Sequence, residues 1–274
     1  AIKMLFLFGF INNIKRSVVI IEYINKIFCM DNLELMKQLP DECIDLIYCD
    51  ILYNTGKKFK DFNDDLGTPQ EAIKWYSPRL IEMKRVLKST GSIYLQCDSN
   101  LSHYLKVEMD KIFGIHNFQR DIIWRIGWVS GYKSKAKNWI RNHDNILYYT
   151  KSDNFTFSKE YIPYPTGYVR RDGKKPIGEG KPIEDTWNCS DLDELNSIEI
   201  MSFSKEKVGY DTQKPKKLIE RIIKASSNEG DIVADFFCGS GTTCMVAKEL
   251  HRCYIGCDIN KKAIDITQRR LFSE

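Results

Sequence analysis

Short apolar runs, each followed by an aspartate, recur along the chain and alternate with helical patterns. Three of these runs lie at 24–30, 44–49 and 92–97, and two more lie near the carboxyl end, at 232–234 and 253–257. Alternating strands and helices predict an α/β fold in which parallel strands are covered by helices on both faces. Ligands of such a sheet bind at the carboxyl ends of the strands, where these aspartates are expected to lie.

One helix is strongly patterned between the second and third runs. Its apolar positions recur at helical spacing on one face, and they are Ile73, Tyr76, Leu80, Met83 and Leu87. Pro78 lies among them, and a proline inside a helix removes a backbone donor and clashes with the preceding turn. We therefore expect the helix to be kinked or divided at this proline.

The middle of the chain has a different pattern. Two strand-like stretches, 121–125 and 145–150, flank a basic loop, and the periodicity is then lost from 151 to 207 among proline, glycine and charged residues. A stretch of this length without periodicity is uncommon in a compact domain unless it binds something. We interpret 151–207 as a small insert on the core rather than as a linker.

The basic and aromatic residues of the chain suggest a class of binding partner. The 274 residues are 43% hydrophobic and 28% charged, with a net charge of +4, as in an ordinary soluble globular protein. The basic residues that stand out form two clusters, Lys57 and Lys58 with Lys60, and Lys133, Lys135 and Lys137 with Arg141. Aromatic residues such as Phe59 and Trp139 lie among them. This mixture suits a polyanion with stackable bases, although two solvated loops would have the same composition.

Cysteine usage and the amino-terminal segment bear on the compartment. Nine cysteines occur without a Cys-x-x-Cys pair or a Cys/His cluster at zinc spacing, which favours a reducing cytoplasm over a disulfide scaffold or a structural metal. The apolar residues 1–11 resemble the core of a signal peptide, but no small-residue cleavage site follows and the run is too short to span a bilayer. We expect a cytoplasmic protein with an amino-terminal extension at 1–21.

The strongest local motif is DIVADFFCGSGTTCMVAKEL, residues 231–250. A strand ends at Asp235, a loop with Gly239 and Gly241 follows, and a helix then begins. The fingerprint of dinucleotide-binding folds fails because Cys244 occupies its last glycine position, and no Walker A lysine is present. The next strand ends before Asp258, which is suitably placed to bind ribose hydroxyls. The motif predicts an adenosine-containing ligand without a diphosphate site.

A second motif, IDLIYCDILYNTG at 44–56, places Asp50 at a strand end with Tyr53 close behind. The lone pair of an exocyclic base amine is delocalised into the ring, so the nitrogen is a poor nucleophile. A carboxylate and a backbone carbonyl that accept its two N–H groups would favour a tetrahedral, nucleophilic geometry. Asp50 and the carbonyl of Ile51 could do this, while Tyr53 stacks on a base flipped out of the helix.

Taken together, these motifs resemble the permuted, or β-class, DNA amino-methyltransferase family. The matching segments span roughly 24–272 and are 30–50, DILY at 50–53, 142–152, DTQKP at 211–215, DFFCGSGTT at 235–243 and GCDIN at 256–260. The resemblance implies a circularly permuted, Rossmann-like methyltransferase fold with a mostly parallel, doubly wound sheet. It divides the chain into a catalytic half at 22–150, a target-recognition insert at 151–207 and a cofactor half at 208–274.

The resemblance also implies S-adenosylmethionine as the cofactor and assigns roles to residues. Asp31 would contact the adenine of the cofactor, Thr212 and Lys214 would lie near its methionine carboxylate, and Asp258 would bind its ribose. The remaining cofactor residues would be those of the loop, Asp235, Phe237, Gly239, Gly241 and Thr242. Asp50, Ile51 and Tyr53 would carry the chemistry, and the two basic clusters would bind duplex DNA.

The family usually has two prolines where this chain has Ile51 and Leu52, so the loop loses two fixed φ angles. An aspartate at the position of Asp50 goes mostly with adenine, so we predict methylation of adenine N6. The alternatives are an N4-cytosine methyltransferase and a non-catalytic DNA-binding relative, while a nicotinamide dehydrogenase is disfavoured by Cys244. Cytosine C5 methylation is disfavoured because no Pro-Cys pair occurs. A separate restriction endonuclease and a homodimer are further expectations from the resemblance.

Overall fold

The computed structural model describes residues 19–56, 63–127, 137–178, 180–188, 195, 208 and 213–272. The strands are β1 (Lys26–Cys29), β2 (Ile44–Asp50), β3 (Leu87–Cys97), β4 (Phe118–Arg125), β5 (His143–Thr150), β6 (Tyr161–Ile162), β7 (Lys181–Pro182), β8 (Thr186–Trp187), β9 (Ile232–Asp235) and β10 (Cys253–Asp258). The helices are α1 (Asn32–Gln38), α2 (Pro69–Val86), α3 (Ser102–Phe113), α4 (Lys216–Ser226), α5 (Thr242–Glu249) and α6 (Lys261–Phe272). No helix in these ranges is long and apolar enough to cross a membrane.

Eight of these strands form one sheet, in the order β1-β10-β9-β2-β3-β5-β4-β8. The pairs from β1 to β3 are all parallel, and only β5 runs antiparallel to its neighbours β3 and β4. The predicted α/β fold with a mostly parallel sheet is therefore confirmed. Each of the apolar runs predicted to be a strand contains one.

The strand order brings the two ends of the chain together. Strands β9 and β10 lie between β1 and β2, and β9 pairs with β2 through Leu46–Val233 and Ile47–Ala234. These four side chains are fully or almost fully buried, which fixes the register of the pairing. As a result, the loops that follow β2, β9 and β10 meet at one edge of the sheet.

Helix α2 shows where the sequence pattern misled. It begins after Thr68, whose side chain forms a capping box with Glu71, and it continues without interruption through Pro78 to Val86. Of the two predicted outcomes, a division at Pro78 does not occur, and a kink there stays a prediction. Tyr76, Leu80 and Met83 are all almost fully buried, and the burial of this face outweighs the loss of one helical hydrogen bond. Leu87 belongs to β3 rather than to the helix.

The described residues of the segment predicted as an insert, at 151–178, 180–188 and 195, contain three two-residue strands. Strands β6 and β7 form a separate two-stranded sheet, while β8 adds a parallel edge strand next to β4. Trp187 of β8 is buried, and its indole N–H donates to the carbonyl oxygen of Glu184 at 2.8 Å. Part of this segment is thus attached directly to the main sheet.

Candidate active site at the carboxyl ends of the strands

A cavity of about 640 Å³ lies where the loops after β2, β9 and β10 meet. Residues from both halves of the chain line it, so the predicted meeting of the two motifs is present. The candidate site residues in its wall are Asp31, Asp50, Ile51, Tyr53, Arg141, Lys214, Asp235, Phe237, Gly239, Thr242 and Asp258. Gly241 lies in the same loop without lining the cavity, and Lys137 is exposed elsewhere. Lys57, Lys58, Lys133, Lys135 and Thr212 fall outside the described residues.

Asp50 ends β2 and faces the cavity with both carboxylate oxygens engaged. The hydroxyl of Tyr53 lies 2.7 Å from Oδ1, and the ammonium group of Lys214 pairs with Oδ2. Burial raises the pKa of the Asp50 carboxyl, and the positive charge of Lys214 opposes this shift. The carboxylate that Lys214 contacts in the structure is thus Asp50, and its predicted role at a methionine carboxylate stays a prediction.

The glycine loop after β9 is held by polar contacts from two directions. The backbone N–H of Gly239 donates to Asp258 Oδ2 at 2.9 Å, and the hydroxyl of Thr267 donates to the carbonyl oxygen of Gly239 at 2.9 Å. Gly241 has a φ of +75°, and a Cβ there would lie 2.1 Å from Thr267 Cγ2. Both facts require glycine at position 241. The loop is therefore preformed beside the carboxylate of Asp258.

The other end of the cavity contains side chains that were not singled out in the sequence. Arg79 Nη2 donates to Asp31 Oδ2 at 2.7 Å, and its guanidinium group lies 3.5 Å from the centre of the Trp75 ring. The side-chain amide of Asn32 donates to the carbonyl oxygen of Phe236 at 2.9 Å. Trp75 and Asn32 both line the cavity. Arg79 could have been singled out in the sequence, because it is a charged residue on the apolar face of α2.

A family model described as DNA methylase matches residues 44–269. The chain belongs to this DNA methylase family. Two of its relatives are the Type II methyltransferase M.HpaI of Haemophilus parainfluenzae, 35% identical over 91% of this chain and 74% of the relative, and the DNA adenine methyltransferase YhdJ of Escherichia coli (strain K12), 32% identical over 88% and 80%. The resemblance seen in the motifs is confirmed.

Solved structures share the fold of this methylase at lower identity. The PvuII DNA methyltransferase (cytosine-N4-specific) superimposes with a TM-score of 0.64 at 16% identity, covering 91% of this chain and 86% of that one. The M1.HpyAVI–SAM complex superimposes with a TM-score of 0.57 at 19% identity, covering 90% and 99%. These similarities support the predicted Rossmann-like methyltransferase fold.

The structure explains how the methylase tolerates Ile51 and Leu52 in place of two prolines. The backbone N–H of Ile51 donates to the carbonyl oxygen of Gln96 at 3.2 Å, a bond that proline could not make. The hydroxyl of Tyr76 donates to the carbonyl oxygen of Leu52 at 2.8 Å. Hydrogen bonds to the neighbouring strand and to α2 thus order this loop where the family usually relies on fixed φ angles.

Of the residues predicted to contact DNA, Arg141 has a clear place in the structure. Its guanidinium group pairs with Asp144 and lies 3.9 Å from Asp98 Oδ2, and both of these carboxylates are almost fully buried. Arg141 is thus a counter-ion in the cavity wall, with 40% of its side chain exposed. Its contact with DNA stays a prediction, as does that of Lys137.

Asp235 accepts hydrogen bonds from the glycine loop and from the start of α5. Its Oδ1 accepts the backbone N–H of Phe237 at 3.0 Å and its Oδ2 accepts the hydroxyl of Thr243 at 2.6 Å. Burial, aided by the negative charges of Asp50 and Asp258, raises the pKa of Asp235 to about 7. The folded protein therefore holds a proton on this group that the unfolded chain releases near pH 4.

Replacing Asp235 by asparagine is expected to change how stability depends on pH. Because the folded-state pKa lies above the unfolded value, the wild-type group contributes stability at low pH that is lost between about pH 4 and about pH 7. The unfolding free energy of the wild type minus that of the Asp235→Asn variant should fall by at most about 4 kcal/mol across this window. Urea titrations at several pH values measure the difference, and a pH-independent difference would contradict the assignment.

Proposed function

We propose that this methylase transfers a methyl group from S-adenosylmethionine to N6 of an adenine flipped out of duplex DNA. The observation that carries the proposal is the shared cavity, in which Asp50 of one half faces the Gly239 loop of the other. Its volume of about 640 Å³ lies in the range of small-molecule sites.

The residues around the cavity fit the cofactor. The carboxylate of Asp258 at the end of β10 would bind the ribose hydroxyls, and support comes from its position in the cavity wall beside a glycine loop that lets a ligand approach the backbone. The rings of Trp75 and Phe237, whose centres are 6.2 Å apart, offer apolar surface near Asp31 for an adenine ring. Lys214 would bind the methionine carboxylate. When bound, S-adenosylmethionine supplies an electrophilic sulfonium methyl group.

The reaction is a direct in-line displacement, without a covalent enzyme intermediate. Asp50 and the carbonyl of Ile51 accept the two N–H groups of the target amine, which aims the nitrogen lone pair at the methyl group. The carboxylate also stabilises the positive charge that develops on nitrogen. Asp50 need not be a strong base, since the amine proton becomes acidic only once the methyl group has been transferred.

The choice of adenine rests on Asp50 and on the relatives. The name of YhdJ, which is 32% identical to this chain, states that it is a DNA adenine methyltransferase. The cytosine-N4-specific PvuII methyltransferase shares the fold at 16% identity. An N4-cytosine methyltransferase would use the same cavity and the same displacement. The two alternatives differ in product alone, so a product measurement decides between them.

The test is mass spectrometry of nucleosides from DNA methylated by the purified protein with deuterium-labelled S-adenosylmethionine. We expect labelled N6-methyladenine from the wild type and, in the same time, about 10³-fold less of it from Asp50→Asn. Labelled N4-methylcytosine would overturn the adenine assignment. Bound cofactor without any labelled nucleoside, on DNA from a methylation-free host, would instead support a non-catalytic DNA-binding protein.

We also propose that the chain is divided into a catalytic half at 22–150, a target-recognition insert at 151–207 and a cofactor half at 208–274. In this division, residues 151–207 select the target sequence. Support comes from the position of β8, which places part of this segment on the sheet edge beyond β4. Duplex DNA is the proposed macromolecular partner. A separate restriction endonuclease, a homodimer and a cytoplasmic location stay predictions.

A further inference from the structure

A second buried carboxylate lies next to Asp50, in a position that the reaction scheme above does not use. Asp144, near the start of β5, is only 3% exposed. Its Oδ2 lies 2.9 Å from the hydroxyl of Tyr53, and that same hydroxyl lies 2.7 Å from Asp50 Oδ1. The Tyr53 hydroxyl thus lies between two carboxylates, although it has one proton to donate.

Buried amide and phenol groups hold this arrangement in place. Gln96, opposite Asp50 in the β2–β3 register, is fully buried. Its amide nitrogen donates to the Tyr53 hydroxyl and to Asp144 Oδ2, both at 3.0 Å, while its oxygen accepts the hydroxyl of Tyr48 at 2.6 Å. On the other side, Arg141 pairs with Asp144 Oδ1. Both oxygens of Asp144 are therefore fixed by donors.

Burying a carboxylate costs several kcal/mol before its partners compensate, so its placement next to the reacting group calls for an explanation. We propose that Asp144 is a positioning residue for methyl transfer, which fixes the Tyr53 hydroxyl and, through it, the direction of the Asp50 carboxylate and of the Tyr53 ring. The inference rests on the proposed function, since it concerns the geometry presented to the target amine. It matters here because Ile51 and Leu52 lack the fixed φ angles of two prolines, so that hydrogen bonds order this loop instead.

The same contacts influence the pKa of the Asp50 carboxyl. Within the described ranges, the titratable groups that interact with this carboxyl are Lys214 before α4, Tyr53 in the loop after β2, Tyr48 and Cys49 on β2, Cys97 at the end of β3, Asp144 on β5 and Asp235 at the end of β9. The negative charge of Asp144 raises the pKa of Asp50, whereas the hydrogen bond from Tyr53 lowers it. Removing either partner should therefore move the pKa of Asp50, and in opposite directions.

The test compares Asp144→Asn with Tyr53→Phe. Arg141 lies at Oδ1 of Asp144 and Tyr53 at Oδ2, so an asparagine at 144, which has an NH2 donor in place of one oxygen, cannot accept from both. We expect kcat to fall about 10- to 100-fold, as for a small misplacement of reacting groups, with an unchanged dissociation constant for S-adenosylmethionine in calorimetry. The acidic limb of the kcat profile should move to lower pH in Asp144→Asn and to higher pH in Tyr53→Phe.

A direct readout without cofactor or DNA is the carboxyl ¹³C resonance of Asp50, assigned by its loss in Asp50→Asn. Its titration should shift to lower pH in Asp144→Asn and to higher pH in Tyr53→Phe. If Asp144→Asn does not fold, Arg141→Gln serves instead, and it should raise the pKa of Asp50 because Asp144 then lacks its counter-ion.

The matched control is Asp121→Asn. Asp121 lies exposed on β4, where it accepts hydrogen bonds from Asn145 rather than from Tyr53, so kcat and the Asp50 titration should not change. Wild-type kcat in Asp144→Asn, or shifts of the same sign in both variants, would overturn the proposal. Failure of the proposed function itself is distinguishable, because the wild type would then methylate no DNA.

Discussion

Replacing Asp50 by asparagine is expected to lower kcat for DNA methylation by about 10³-fold, the effect of removing one preorganised polar group from a reaction centre. Asparagine keeps the shape of the side chain but loses the charge that stabilises a positive nitrogen. It also turns one acceptor oxygen into a donor, which opposes the N–H groups of the target amine. Turnover measured with labelled S-adenosylmethionine and saturating DNA gives kcat directly.

The dissociation constant for S-adenosylmethionine should not rise in this variant, because the glycine loop and Asp258 do not depend on Asp50, and because Lys214, released from its pair with Asp50, stays available for the methionine carboxylate. Calorimetric titration provides that control, and urea unfolding reports the cost of leaving Lys214 without its carboxylate partner. Turnover within a few-fold of the wild type would show that Asp50 does not carry the chemistry.

Replacing Gly241 by alanine is expected to lower the unfolding free energy by about 2–5 kcal/mol, the sum of a left-handed backbone and an overpacked contact. The new Cβ would lie 2.1 Å from Cγ2 of Thr267, whose side chain is fully buried and cannot move away easily. The displaced threonine would also lose its bond to the carbonyl oxygen of Gly239. Affinity for S-adenosylmethionine should therefore fall together with stability.

Gly230→Ala separates the two causes. Gly230 has a similar φ of +83°, but nothing lies within 4 Å of a Cβ built there, so only the conformational cost of about 1 kcal/mol should appear. Cofactor affinity should not change in this control. Equal destabilisation in both variants would show that contact with Thr267 is not what excludes a side chain at Gly241.

The strands and the cavity could be predicted because their signals are local and repeated. Apolar runs that end in aspartates mark the carboxyl edge of a parallel sheet wherever they occur in the chain. For this reason Asp50, Asp235 and Asp258 could be expected at one edge although they lie far apart in sequence, and the structure places all three in one cavity wall.

The contacts between site residues could not be predicted in the same way, because they depend on which side chains meet after folding. Lys214 pairs with Asp50 across 164 residues of sequence, and Arg79 pairs with Asp31 across 48. No periodicity marks such pairs. For a related reason, the sequence did not single out Asp144. An acidic residue near the start of a strand is usually solvated, whereas this one is buried.

Pro78 illustrates a different failure, in which a local rule was outweighed by packing. A proline costs a helix one hydrogen bond and some steric strain. Helix α2 is nevertheless continuous, because Tyr76, Leu80 and Met83 on the same face are buried in the core. The rule describes the local cost of Pro78, but it does not include the free energy gained when the apolar face of the helix is buried.

A crystal structure of the Asp50→Asn variant with S-adenosylmethionine and a duplex carrying its methylation site would show most directly whether a base enters the cavity beside the carbonyl of Ile51. We expect an extrahelical adenine stacked on Tyr53, with N6 beside that carbonyl and about 3–3.5 Å from the sulfonium methyl carbon. The cofactor should lie between Asp258 and the Gly239 loop. A cofactor bound outside this cavity, or an adenine that stays stacked in the duplex, would contradict the proposed function.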